Sequence, residues 1–166
     1  MNTATTSDGM AAFTQTFRRY ASGVSVITAL TAEGEPVGFT ATSLASLAAV
    51  PPLATFNMST TASAWPAIAA TERVVIHTMG ASTRHLAQLM SADHSLRFAG
   101  DHWVRGPYGL PIICGVTSWM IGRIVERVTV ANSAMVVIEI EAGEAGEPDD
   151  ALLYHQRGYH TPGESV

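Results

Sequence analysis

Two hydroxyl-rich segments carry most of the chemistry this sequence offers. The first, residues 38–44 (GFTATSL), places Thr40, Thr42 and Ser43 on a short run that follows a glycine. Exposed amides and hydroxyls of this kind suit a phosphate or a polyol chain. A Thr-rich strand, which β-propensity alone produces, is the competing reading. The second segment, residues 57–63 (NMSTTAS), joins a strand to the start of a helix, where unpaired amides and the helix dipole favour an anion. There the alternative is a Ser63 that only caps its helix.

Composition removes several classes of function. All nine basic side chains are Arg and none is Lys, so chemistry through a lysine Schiff base is excluded. A net charge of -5 with scattered Arg residues argues against nucleic acid, whose binders gather cations on one face. Cys114 is the only cysteine, which rules out an intramolecular disulfide and a cysteine-based metal cluster. It reads as a small buried hydrophobe. No apolar stretch reaches the roughly 20 residues of a membrane helix, and the N-terminus lacks a secretory pattern, so cytoplasmic residence with no membrane contact is expected. With 47% hydrophobic and 14% charged residues, the chain has more apolar surface than a lone small barrel readily hides, which points to an oligomer.

The elements that must position these segments follow from periodicity. Residues 1–9 read as a disordered lead, residues 10–160 as one domain and residues 161–166 as a polar tail. Phe13, Phe17 and Tyr20 repeat at helical spacing, which predicts an N-terminal helix packed on a sheet, with Ser7 or Asp8 as its cap. Residues 23–30 and the stretch from Val37 form a hairpin around AEGEP. A strand at 53–58, a short helix at 63–70 with Pro66 in its first turn, a strand at 73–79 and a helix at 82–90 capped by Ser82 come next. Long β segments at 112–130 and 134–142, then a short strand at 151–155, complete the chain. Mostly antiparallel connections with a few short helices predict a mainly β barrel and not a βαβ sheet.

The order and spacing of GVSVITAL, VGFTATSLASLAAVPPL, FNMSTTASAWPAI, HLAQLM, LRFAG, GLPIICGVTSWM and ALLYHQRGYH resemble the flavin reductase-like family from Phe17 to His160. The resemblance implies an antiparallel FMN-binding split β-barrel that forms a homodimer, binds FMN or FAD and uses NAD(P)H to reduce it for a partner monooxygenase. By motif position it implies that Thr40, Ala41, Thr42 and Ser43 line the ring and ribityl chain, and that Asn57, Ser59 and Ser63 approach the ribityl and phosphate groups. His77 falls on the segment beside the flavin, with a satisfied core histidine as the alternative. Arg84, Arg97 and Phe98 fall at ligand-side positions, the two cations being able to pair with phosphate. Tyr159 matches an aromatic on the nicotinamide side. Trp65 and Trp119 read as core anchors, with the dimer interface as the alternative.

The sequence also departs from the family. Where typical members carry Gly-Asp-His before the penultimate long strand, this chain has Ala131-Asn132-Ser133, and a serine supplies neither an imidazole face nor its titrating proton. Ser133 and Tyr159 are the candidate residues for the reaction side. Ile138 replaces a family glycine and is expected to add bulk beside the strand, and Thr60 replaces a common Arg. The implied activity is NAD(P)H:FMN reduction. The alternatives are a flavoprotein that keeps its FMN and acts on another small molecule, or a non-catalytic flavin-binding module.

Overall fold

The computed structural model describes residues 8–166. Ser7 and the lead before it lie outside the described residues. Helix α1 (Gly9–Arg19) starts where the Asp8 carboxylate accepts the Ala11 N–H at 2.8 Å, the expected acidic cap on otherwise orphaned amides. It does not pack on the sheet: none of its residues is buried, and Met10, Phe13 and Phe17 stand open together with Tyr20 just beyond it.

Strands β1 (Ser22–Gly23), β2 (Ser25–Leu30), β3 (Pro36–Ala41), β4 (Ala45–Ala48) and β5 (Leu53–Ser59) precede α2 (Trp65–Ala70) and β6 (Arg73–Thr78). Helix α3 (Arg84–Ser91), a ribbon of β7 (Trp103–Arg105) and β8 (Pro111–Ile113), the long pair β9 (Ser118–Val130) and β10 (Ser133–Ala145), and a final hairpin of β11 (Leu153–His155) and β12 (Gly158–His160) follow. The main sheet has seven strands in the order β3-β2-β6-β9-β10-β5-β4, all antiparallel. It rolls until β3 and β5 face each other. Inside lie Ile27, Phe56, Ile68, Ile76, Val136 and Ile138. This is a split barrel: one seam, between β3 and β5, is not closed by a ladder. No helix among the described residues is long and apolar enough to cross a membrane.

Several expected boundaries move for local reasons. The segment 112–130 is two strands, because Gly115 at φ +77° turns the chain between β8 and β9. Cys114 sits in that turn and is exposed, not buried. Ser63 does not cap α2, whose N-cap is Ala64 without a side-chain bond. Nor does Ser82 cap α3; its amide and hydroxyl both donate to Asp149, at 2.9 and 2.7 Å. Ile138 adds its bulk to the core, where Gly122 makes room for it: a Cβ on Gly122 would overlap Ile138 Cγ2. The hairpin β11–β12 turns on Gln156 (φ 49°) and Arg157 (φ 64°), both left-handed. Such a two-residue turn normally recruits Gly or Asn, so its sequence carries little signal. The Gln156 N–H donates to Arg18 O at 3.1 Å and ties this turn to the end of α1.

His77 shows how the barrel holds its flap. It is fully buried on β6, with Nδ1–H donating to Val26 O at 2.9 Å and Nε2 accepting the Ile113 N–H at 3.0 Å. The wholly buried Thr28 hydroxyl donates to Pro111 O, so two barrel side chains fix both ends of β8. Burial pushes the His77 pKa from its ordinary 6.5 down to about 4, and the neutral ring is the form that accepts from Ile113. The unfolded chain therefore binds the extra proton between pH 4 and 6.5, and this stabilisation, at most about 3 kcal/mol, is lost as pH falls through that window. A His77→Gln variant should show a flatter rise of unfolding free energy between pH 4 and 6.5 in urea titrations; an unchanged slope would show that the buried ring does not set it.

Candidate functional site

The seam between β3 and β5 gathers most of the predicted polar residues. Ser43 closes it: its hydroxyl donates to Asn57 O at 3.0 Å and accepts the Asn57 N–H at 2.9 Å. One side chain thus bonds both main-chain groups of Asn57 just past the point where the β4 ladder on that side of β5 ends, at Ala45 and Thr55. Past Asn57 the chain is held to the β9–β10 turn, where Ala131 is left-handed at φ 52°. The Thr60 N–H donates to Asn132 O at 2.9 Å, and the Ser59 hydroxyl lies 2.8 Å from that of Thr61. Register places Ser59, Ser133 and Val130 in one row across β5, β10 and β9, with Asn57, Met135 and Val128 in the next. Phe56 and Met58 point into the barrel, so these two rows share its outer face.

Neighbouring side chains divide sharply between structural and open roles. Thr40 donates its hydroxyl to Ala87 O of α3, and the Ala41 side chain is buried in the core. Thr42 is exposed, and its hydroxyl has no hydrogen-bond partner among the described residues. Ser63, also exposed and without such a partner, lines a cleft of about 100 Å³ with Gly38, Ala64, His94, Arg97 and Phe98. Full cofactor sites span roughly 300–1,000 Å³, so this cleft accommodates one end of a ligand and not a whole dinucleotide.

Arg97 forms part of the cleft wall. Its guanidinium donates to Gly38 O at 2.7 Å and twice to Ala92 O, at 2.8 and 3.2 Å. Burial lowers its pKa from the ordinary arginine value, with Asp93 opposing the shift. Those bonds commit much of its donor fork to the backbone. Phe98 packs edge-on to Trp103, whose Nε1–H donates to Phe98 O at 3.1 Å. Arg97 and Phe98 are thereby joined to the flap that His77 anchors.

Three predicted residues lie elsewhere. His77 has both ring nitrogens engaged inside the barrel, as the core-histidine alternative expects. Arg84 stands over the Tyr159 ring at 5.7 Å in a separate open cleft of about 410 Å³ that also includes Leu152 and His160. Burial raises the Tyr159 pKa above its ordinary value. Trp65 packs against the main core, while Trp119 is half-buried between two smaller clusters. Sequence reasoning missed Asp149, which holds the segment before β11 against the start of α3; neither periodicity nor a motif marks it. Gly38, the glycine that opens the first hydroxyl-rich segment, lines the cleft, and a Cβ there would crowd Phe98 at 3.1 Å.

With the site in view, the comparisons with known proteins are direct. The Flavin reductase like domain family matches residues 17–163, and the chain belongs to that family. Among its relatives is an NADH:FMN oxidoreductase of Rhodococcus qingshengii, 37% identical over 150 residues that cover 87% of this chain and 78% of that protein. A reductase component of a flavin-dependent trigonelline monooxygenase from Acinetobacter baylyi is 28% identical over 153 residues, covering 90% of this chain and 48% of its own. The crystal structure of a flavin reductase domain protein from Arthrobacter sp. FB24 superposes with a TM-score of 0.90 at 44% identity, covering 95% of this chain and 98% of that one.

Removing the Ser43 hydroxyl should cost about 1–2 kcal/mol, because two main-chain groups of Asn57 lose their partner. Thr42→Ala, which breaks no internal bond, should stay within about 0.5 kcal/mol of the parent. Chemical denaturation of both variants checks the contrast, and equal losses would show that Ser43 is not the closure.

Proposed function

We propose that this chain is an NADH-dependent FMN reductase that delivers reduced flavin to a partner monooxygenase in the cytoplasm. The observations that carry the reading are the unpartnered Thr42 hydroxyl beside the Ser43–Asn57 closure and the unpartnered Ser63 hydroxyl in a small cleft walled by Gly38, Arg97 and Phe98. Neutral hydroxyls, an amide and one committed cation fit a polyol with a phosphate and suit exchange, since the site lacks a lysine or a free arginine fork for tight phosphate capture. The relatives named above support the same activity.

FMN, when bound, supplies a ring that accepts a hydride from a nicotinamide. This chain has only to bind and align the two. Ser43, Asn57, Ser59 and Ser133 are non-titrating, in keeping with a transfer that needs orientation and no general acid or base. Ser43 keeps the strand edge in place, Thr42 and Ser63 hold polar groups of the flavin, and Phe98 offers an apolar wall. Ser133, on the row beside Ser59, leaves the nicotinamide side without an imidazole.

The cleft is too small and the outer face too open to enclose a flavin within one protomer, which supports a homodimer with a site between subunits. Oxidation of NADH by purified protein, followed at its absorbance band, should depend on added FMN. Absence of flavin-dependent turnover with NADH and with NADPH would overturn the reading. Thr42→Ala and Ser63→Ala should each weaken FMN binding about 3–10-fold by fluorescence quenching, in line with one lost hydrogen bond of about 1 kcal/mol. Ser133→His should lower the KM for NADH and leave flavin affinity unchanged.

A further inference from the structure

The protomer leaves two large apolar surfaces uncovered. One is the face of α1 and the residue after it, where Met10, Phe13, Phe17 and Tyr20 are 58–74% exposed and the aromatic rings stack in series, 4.7 Å and 6.2 Å between centroids. Their spacing of three, four and three residues puts them on a single stripe. Rings at this exposure, on a helix with no buried residue, leave on the order of 500 Å² of apolar area in water. The other surface is the outer face of β5, β10 and β9, where Val128, Val130 and Met135 are 40–68% exposed and alternate in register with Asn57, Ser59 and Ser133.

We infer that the occupant of each surface is a second copy of this chain, with α1 of one protomer lying across the outer face of β5, β10 and β9 of its partner. The inference rests on the homodimer proposed above and specifies its interface. Reciprocal exchange about a two-fold axis covers both surfaces at once and closes the assembly, whereas helix-to-helix pairing would leave the sheet face in water. Together the two surfaces come to roughly 800 Å² per protomer once the intervening polar residues are included, the size of a standard stable interface. Charge agrees: Arg18 and Arg19 at the end of α1 have no ion pair among the described residues, nor does Glu126, which lies one row beyond Val128 on the same outer face. The exchanged helix then becomes a wall of the partner's polar site, because Asn57 and Ser59 occupy the rows it covers.

The test uses flavin-free protein, so its result is independent of the proposed activity. Light scattering should give twice 17.5 kDa for the parent, and Phe13→Ser with Phe17→Ser, or Val128→Glu with Met135→Glu, should weaken dimerisation at least 10-fold with unchanged far-ultraviolet circular dichroism. In a Cys114→Ser background, Phe17→Cys combined with Met135→Cys should cross-link into covalent dimers on mild oxidation. A dimer that survives the paired serine substitutions overturns the interface. So does Phe17→Cys alone cross-linking as efficiently as the pair, since helix would then meet helix. A monomeric parent overturns both this interface and the homodimer, whereas a dimer lacking flavin-dependent turnover leaves the interface standing and removes only the activity.

Discussion

A sheet that rolls without closing has two edges, and each edge exposes unpaired main-chain groups. In this protein the edges are β3 and β4, and where the β4 ladder stops a single hydroxyl takes over, with Ser43 in the link after β3 serving both the amide and the carbonyl of Asn57 on β5. The choice has a geometric result. A ladder would have filled the seam with backbone and drawn the strands to about 4.8 Å, leaving no room for a ligand. A side-chain bridge holds the strands in place yet leaves Thr42, Ser63 and the cleft beside Gly38 open. In the proposed reading, the opening in the barrel and the flavin site are one feature.

The far wall of that opening is supported from the barrel interior. His77 and Thr28 grip β8, β8 pairs with β7, and Trp103 of β7 holds Phe98 while Arg97 clasps Gly38 of β3. Each link is a buried or half-buried hydrogen bond whose loss leaves a polar group unsatisfied, which is costlier than the bond's modest net contribution. A neutral His77 is required because only an unprotonated Nε2 accepts from Ile113. Burial of the ring in the barrel keeps it so at ordinary pH.

Much of this was legible in the residues. Alternation located β2, β3, β5, β6 and β10, and the order of the motifs identified the family, because a pattern of strands and turns survives where single contacts do not. What stayed hidden was chemistry that depends on residues far apart in the chain. Thr40 and Thr42 look equivalent in GFTATSL, yet a neighbour 47 positions away consumes the first hydroxyl and no described residue consumes the second. His77 sits in a segment read as ligand-side, and only the meeting of β2, β6 and β8 shows both nitrogens taken. The β11–β12 hairpin was half missed since its left-handed turn is built from Gln156 and Arg157, and α1 was read as packed because an apolar stripe does not say which chain will cover it.

Cys114 offers a practical consequence. It is exposed, it is the only thiol in the sequence, and its N–H donates to His102 O at the end of the β7–β8 ribbon. A maleimide fluorophore or spin label would therefore attach at one place without any substitution, on the element that links the buried histidine to the cleft wall. The native chain thus carries its own reporter position, and spectroscopy on the labelled protein could follow that ribbon during turnover against a single unambiguous signal.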